Sequence, residues 1–312
     1  MQGLFPWMIQ LLSMYLPIMT AIGVPLSAIY DNRICTCLIL SAILSTKSRV
    51  NSSYIHRLSS SMLAPHDGLI NPFEVLGDIT SITKDDYSKA IIMVAPHGPT
   101  FYPSVYYGSL FEREFGISYT ALATPALFKI PFAPMIMSGL CNIVGVDPTS
   151  LERFLEGNNG PGVTYPGGFE DVFANSADNS VITINVNPQS LLFHLAVKNG
   201  RCLIPTLVLN ETAIFTHAKK VVQLFQYVHK NYTRTGIPVP PLSPCGIASL
   251  VSTEKMILLY GSPVYGNSIE DLAYKYLCSV EQLHQQALEE GLTTKPLVFK
   301  VRGTSLSKFS AL

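Results

Sequence analysis

The sequence predicts an α/β protein, with a mostly parallel sheet flanked by helices and an N-terminal membrane-embedded helical hairpin. Two observations predict the sheet: short apolar runs such as Ala90–Val94 recur along the chain, and helix-like segments separate them. A third observation predicts the anchor. Residues 1–30 contain no charged side chain, and 48% of the 312 residues are hydrophobic whereas only 13% are charged.

The predicted membrane anchor occupies residues 1–46. Its first apolar segment is long enough to span a bilayer but contains three prolines, and the second, Ile34–Leu44, is short. One hairpin and two crossings therefore both remain open, and a signal peptide is disfavoured because no basic segment precedes the apolar run. Lys47, Arg49 and Arg57 follow directly, which favours a cytosolic position for the rest of the chain.

Strands and helices are predicted to alternate after the anchor, which favours a parallel sheet. Residues 47–89 are expected to form a linker leading into the α/β domain, residues 90–295 the domain itself, and residues 296–312 a C-terminal tail. The predicted strands are Ala90–Val94, Ile117–Ala123, Asn142–Val146, Gly162–Tyr165, Ile182–Val186, Arg201–Leu209 and Lys255–Tyr260. The predicted helices are Ser109–Phe115, Leu127–Gly139, Ser150–Glu156, Pro188–Lys198, Phe215–Tyr232 and Ile269–Glu290.

Composition excludes several classes of function. The 21 basic residues balance the 21 acidic ones and form no dense cluster, so nucleic acid is not an expected partner. The six cysteines are dispersed without a CxxC pair, which favours a reducing compartment over a disulfide framework. No ligand cluster with metal-binding spacing occurs, no Gly-x-Ser-x-Gly elbow is present, and no cofactor is expected.

Two loops at predicted strand ends carry the candidate chemistry. Ala95-Pro96-His97-Gly98-Pro99 follows the first predicted strand, and Pro166-Gly167-Gly168-Phe169-Glu170-Asp171 follows the fourth. Sites in open α/β sheets gather beyond the carboxyl ends of strands, so the two loops are expected to be neighbours. The candidate catalytic residues are His97 as base, with Glu170 and Asp171 as carboxylates that orient it. The candidate substrate-binding residues are Pro96, Gly98, Pro166, Gly167, Gly168 and Phe169, with glycine amides as donors to an oxyanion or a phosphate.

Four segments together resemble the diacylglycerol acyltransferase type-2 family of the glycerolipid acyltransferase superfamily. They are Ala95-Pro96-His97-Gly98, Tyr165 to Asp171, Leu195 to Thr206, and Lys255 to Val264 with its Gly261-Ser262-Pro263 turn. The resemblance covers about residues 88–290. Here Ala95 stands where the family's active-site motif has its first histidine, Asp171 replaces a glutamate, and Tyr102 occupies the position of the superfamily's usual acid. The chain therefore resembles a divergent member.

The resemblance implies an O-acyltransferase that moves a fatty acyl group from acyl-CoA, as co-substrate, to a neutral lipid alcohol such as diacylglycerol, monoacylglycerol or a long-chain alcohol. It implies a place in the endoplasmic reticulum membrane or on lipid droplets, with the catalytic domain facing the cytosol. The partners would be acyl-CoA, the lipid alcohol and the bilayer, and homo-oligomerisation is left open.

Two other functions are open at this point. The first is a catalytically silent homologue that binds lipid or a partner protein. The second is a lysophospholipid or glycerol-phosphate acyltransferase, whose acceptor carries phosphate. A phosphate favours arginine or lysine near the site, and the segments around the two loops offer only Arg113, Lys129 and Arg153. The sequence therefore favours a neutral acceptor.

Overall fold

The computed structural model describes residues 74–98, 102–125, 128, 142–157, 159–177, 180–211 and 256–302. The predicted anchor, 1–46, and the predicted helix Phe215–Tyr232 lie outside these ranges, as does nearly all of Leu127–Gly139. No helix within the described ranges combines the length and the apolar character needed to cross a membrane.

Strands and helices alternate along the described residues, as the sequence predicts. The strands are β1 (Glu74–Leu76), β2 (Ala90–Ala95), β3 (Thr120–Ala123), β4 (Asn142–Gly145), β5 (Gly162–Thr164), β6 (Ile182–Val186), β7 (Cys202–Leu209), β8 (Ile257–Tyr260) and β9 (Leu297–Val301). The α-helices are α1 (Lys84–Ser88), α2 (Tyr102–Phe115), α3 (Pro148–Glu156), α4 (Phe169–Ala177), α5 (Leu191–Lys198) and α6 (Ile269–Glu289).

Seven of the described strands form one sheet in the order β1-β8-β7-β2-β5-β3-β4. Every neighbouring pair is parallel except β7 and β8, which are antiparallel. Strands β6 and β9 pair in parallel as a separate two-stranded sheet. The predicted mostly parallel α/β architecture is therefore confirmed for the described residues.

Four of the strands and α-helices lie where the sequence predicts none, and one of them is α1, within the predicted linker. Strand β1 lies in the predicted linker and pairs with β8 at the edge of the main sheet. Strand β9 lies in the predicted C-terminal tail and pairs with β6. Helix α4 begins at Phe169, so Glu170 and Asp171 lie in the first turn of a helix rather than in a loop. The α/β arrangement thus extends through Val301.

Three helices begin at different residues from those predicted, and the smallest change is in α3, which begins at Pro148 instead of Ser150. Helix α2 begins at Tyr102 instead of Ser109, because Gly108 does not interrupt it: a Cβ atom there would lie 2.5 Å from the Tyr119 ring, so the glycine permits close packing. Helix α5 begins at Leu191 instead of Pro188, after a turn in which the Ser190 amide donates to the Asn187 carbonyl.

Strand β2 lies in the middle of the sheet, and all six of its residues are buried. Because side chains alternate along a strand, Ile91 and Met93 pack in one hydrophobic cluster and Ile92 and Val94 in another. The first cluster includes residues of α3, α5 and α6, and the second includes residues of α1 and α2. This double burial fixes β2, and with it the position of the residues that follow its carboxyl end.

Hydrogen bonds of Arg201 connect the end of α3 to the start of β7. Its buried guanidinium donates to the carbonyl oxygens of Leu155 at 3.2 Å, Gly157 at 2.7 Å and Gly160 at 2.9 Å. A helix leaves its last carbonyls without partners inside the helix, so this single side chain satisfies groups that would otherwise be buried and unpaired.

Replacing Arg201 with methionine is expected to lower the free energy of unfolding by about 2–4 kcal/mol, because several buried carbonyls lose their donor. Urea denaturation followed by circular dichroism measures the change. Lys198→Met is the control: among the described residues, Lys198 forms ion pairs with the exposed side chains of Glu152 and Glu156, so its loss is expected to cost under about 1 kcal/mol. Equal effects of the two substitutions would contradict this account of Arg201.

Candidate active site

His97 lies two residues beyond the end of β2, at the carboxyl edge of the sheet. Its imidazole stacks on the ring of Tyr165, with centroids 3.8 Å apart and planes 20° from parallel. Tyr165 directly follows β5, the strand beside β2, and its hydroxyl accepts a hydrogen bond from the Ser104 amide at 3.1 Å. Two adjacent strands and α2 therefore hold the two rings together.

Asp171 brings the two predicted loops together, as expected from their positions. Its carboxylate is fully buried, and its Oδ2 accepts a hydrogen bond from the backbone N–H of His97 at 3.2 Å. Its Oδ1 accepts two more from Asn185, from the backbone N–H at 2.7 Å and from Nδ2 at 2.8 Å. Asp171 therefore fixes the backbone of the His97 loop, since it contacts the main chain of His97.

The glycines of the second loop differ in their surroundings. A Cβ atom on Gly167 would lie 2.1 Å from Oδ1 of Asp171, so only glycine fits against that carboxylate. Gly168 has a φ of +52°, nothing lies within 4 Å of the position of a Cβ atom there, and its N–H donates to the Tyr165 carbonyl at 3.3 Å. Gly167 thus permits a close approach, and Gly168 closes the turn before α4.

Glu170 points away from Asp171 and forms an ion pair with Arg302, the residue after β9. Both side chains line a cavity of about 220 Å³, and its other lining residues are Pro166, Gly167, Asn185, Val186 and Asn187. The sequence assigned Arg302 to a tail and gave it no part in the site. The pairing of β9 with β6 carries this cation to a cavity beside Gly167.

Of the other predicted substrate-binding residues, Pro96 and Gly98 are buried and line a second, smaller cavity. The side chain of Phe169 is not among those described.

Glu211 is a site residue that the sequence does not reveal. It is 4% exposed, lies two residues beyond the end of β7, the other neighbour of β2, and lies against Gly98. A Cβ atom on Gly98 would lie 2.1 Å from the Glu211 carboxyl carbon. The one signal in the sequence is an acid just beyond the apolar run Cys202–Leu209, and such an acid alone indicates only the start of a loop.

Burial shifts the proton equilibria of both His97 and Asp171. The Nδ1 atom of His97 is enclosed, and this burial lowers the pKa of His97 from 6.5 to about 4, opposed in part by a hydrogen bond with the Gly98 backbone. Burial raises the pKa of Asp171 from 3.8 to about 6, opposed in part by the hydrogen bonds from Asn185 and His97. At neutral pH the imidazole is therefore uncharged and able to accept a proton.

These two shifts give opposite pH dependences of stability. The raised pKa of Asp171 contributes stability that is complete below pH 3.8 and is lost as the pH rises through about 6. The lowered pKa of His97 contributes stability that is complete above pH 6.5 and is lost as the pH falls through about 4.

Asp171→Asn is expected to remove the first of these two dependences. The free energy of unfolding of the variant, relative to the wild type, should therefore rise between pH 4 and pH 7, by up to about 3 kcal/mol. Denaturation at a series of pH values measures the rise. The control is Asp147→Asn, because hydrogen bonds from Ser150 lower the pKa of Asp147 and give a dependence of opposite sign. A pH-independent difference for Asp171→Asn would contradict the raised pKa.

No protein-family model and no curated protein sequence matches this chain. Among solved structures, the chain is similar to the 1-acyl-sn-glycerophosphate (LPA) acyltransferase PlsC from Thermotoga maritima. The two chains are 13% identical with a TM-score of 0.43, over 92% of this chain and 98% of that one. At this identity and TM-score the similarity carries no argument about substrate or mechanism.

Proposed function

We propose that this protein is a membrane-attached O-acyltransferase that moves a fatty acyl group from acyl-CoA to a neutral lipid alcohol, with His97 as general base. The observation that carries the proposal is the position of His97. Its imidazole follows the central strand at the carboxyl edge of the sheet, with the buried carboxylates of Asp171 and Glu211 beside its loop. This is an arrangement suited to taking a proton from a hydroxyl group.

The proposed step transfers one proton and one acyl group. His97 takes the proton of the alcohol as its oxygen forms a bond to the thioester carbonyl carbon. The tetrahedral intermediate then collapses, the carbon–sulfur bond breaks, and the departing sulfur takes the proton back from His97. The Gly168 amide donates within its own turn, so the amides of Gly98 and Gly167 are the proposed donors to the oxyanion.

A phosphate-bearing acceptor is the second candidate, and one observation favours it. Arg302 places a guanidinium on the wall of the cavity that also contains Gly167. Guanidinium groups bind phosphate through paired hydrogen bonds, so a lysophospholipid would have a cation available near the base. Against this, Glu170 already neutralises Arg302, and for that reason we place the neutral acceptor first.

Membranes containing the protein test the proposal when incubated with labelled acyl-CoA and a panel of acceptors. The panel comprises diacylglycerol, monoacylglycerol, a long-chain alcohol and lysophosphatidate. Label in a neutral ester supports the first candidate, and label in phosphatidate alone supports the second. Label in neither, with His97→Ala membranes as background, favours the catalytically silent homologue.

Arg302→Ala is expected to change the KM for a neutral acceptor less than about twofold, because no charge on that acceptor needs a partner. If the acceptor carries phosphate, the same substitution is expected to raise its KM by about tenfold or more. Initial rates against both acceptors measure the difference. Glu170→Gln is the control, since it breaks the ion pair but keeps the cation, and Arg113→Ala removes a cation from the far end of α2.

A further inference from the structure

A second buried carboxylate lies on the opposite side of the His97 loop from the second predicted loop. Strand β7 runs parallel to β2, with Ala95 beside Leu207, so Glu211 emerges at the same edge of the sheet as His97. The residue before it, Asn210, has a φ of +65° and turns the chain sharply after the strand. This left-handed conformation costs energy for most residues and is tolerated by asparagine. The turn places Glu211 against Gly98.

Three observations link Glu211 to the imidazole through Gly98 and Tyr165, the two residues that adjoin both side chains. The Glu211 carboxylate occupies the space beside Gly98 in which a Cβ atom would lie, so Gly98 permits its approach. The His97 ring forms a hydrogen bond with the backbone of that same glycine. Tyr165, which stacks on the imidazole at 3.8 Å, has its pKa raised by burial and by the negative charge of Glu211.

Other charged groups near this pair are few among the described residues. Asp171 approaches from α4, but its oxygens accept hydrogen bonds from the backbone of His97 and from Asn185. Lys295 lines the same small cavity, about 20 Å³, as Gly98 and Glu211. Asp171 is thus committed to the loop backbone, whereas Glu211 faces the glycine that the ring itself contacts.

We propose that Glu211 is a positioning residue for acyl transfer, whose carboxylate stabilises the imidazolium that forms on His97 when it takes the proton of the acceptor alcohol. The inference rests on the proposed function only in naming that reaction. An opposite charge near a buried histidine favours the charged imidazole, and this helps most while the proton resides on His97. Asp171 and Glu211 then have separate roles: Asp171 holds the backbone of the His97 loop, and Glu211 compensates the positive charge of the imidazolium.

Glu211→Gln tests the proposal, since glutamine keeps the size and hydrogen-bonding groups of the side chain but removes the charge. The first readout needs no substrate: the pKa of His97, measured by NMR of histidine-labelled protein in detergent, is expected to fall by about one unit. The second is the pH profile of kcat. We expect kcat to fall by about 10- to 100-fold, with KM unchanged within about twofold.

Two further variants complete the experiment. Glu211→Asp keeps the charge but moves it away by one methylene, so it is expected to lower the pKa of His97 and kcat measurably, although by less than Glu211→Gln does. Glu152→Gln, which neutralises an exposed carboxylate of α3, is expected to change neither. If Glu211→Gln does not fold, Glu211→Asp carries the test alone, because withdrawing the charge by one methylene should still lower the pKa of His97.

An unchanged His97 titration in the variant that folds would overturn the proposal. An unchanged pH profile of kcat in Glu211→Gln would overturn it as well, even if stability falls, because a purely structural role predicts lost stability only. Failure of the proposed function has a different signature. In that case the wild type transfers no acyl group, while the shift of the His97 titration in Glu211→Gln still reports the interaction between the two side chains.

Discussion

Replacing His97 with alanine is expected to lower kcat for ester formation by about 1,000-fold, because the acceptor hydroxyl loses the group that takes its proton. The fold should be retained, since His97 lies beyond the end of β2 and is only partly buried. Transfer of labelled acyl groups by membranes that contain equal amounts of each protein measures the loss.

His194→Ala is the matched control for this substitution. His194 is an exposed histidine of α5 whose Nδ1 contacts the Ser190 carbonyl at 3.0 Å, remote from either loop. We expect its replacement to leave kcat unchanged within about twofold. If His97→Ala retained more than about a tenth of the wild-type rate, His97 would not be the general base.

Replacing Gly167 with alanine is expected to have the second largest effect. The added methyl group would lie 2.1 Å from Oδ1 of Asp171 and 2.2 Å from its Cγ, which is an impossible contact. The carboxylate is buried and holds His97 and Asn185, so moving it breaks those hydrogen bonds. We expect a loss of about 2–4 kcal/mol in the free energy of unfolding, measured by urea denaturation, together with loss of transfer activity.

Gly168→Ala separates this steric effect from backbone strain. Gly168 has a φ of +52°, and the space beside it is open for 4 Å, so alanine there costs only the left-handed conformation, about 1 kcal/mol. Transfer activity should largely survive. Equal losses in the two variants would mean that turn geometry, and not the contact with Asp171, explains the need for glycine at position 167.

The strands of the main sheet could largely be predicted from the sequence, because buried parallel strands are short apolar runs and little else competes for those runs. Ala90–Ala95 and Cys202–Leu209 are clear examples. The predicted bounds differ from the structure where one residue is compatible with two local structures. Gly108 indicates a helix break, yet it lies inside α2 because Tyr119 packs against it. Leu297–Val301 is short and its residues are only half-buried or exposed, so nothing local marks it as a strand.

Only part of the candidate site could be predicted from the sequence. His97, Gly167 and Asp171 lie in recognisable local patterns, and the topology of a parallel sheet brings their loops to one edge. The opposite roles of Glu170 and Asp171 could not be predicted, because they depend on the rotation of α4, which buries one carboxylate and leaves the other facing Arg302. Glu211 could not be predicted either, since its approach depends on a glycine in another loop.

The pairing of β6 with β9 gives the last described strand an unexpected influence over the histidine. Asn185 holds Asp171 from β6, opposite Lys300 of β9, and Asp171 in turn holds the backbone of His97. Proteolytic removal of residues 297–302 would therefore leave the edge of β6 unpaired. It would also weaken the contacts through which Asn185 and Asp171 hold the backbone of His97. During limited proteolysis, cleavage of β9 and loss of acyl-transfer activity should follow the same time course. The fraction of protein with an intact β9 would then report the fraction that is active.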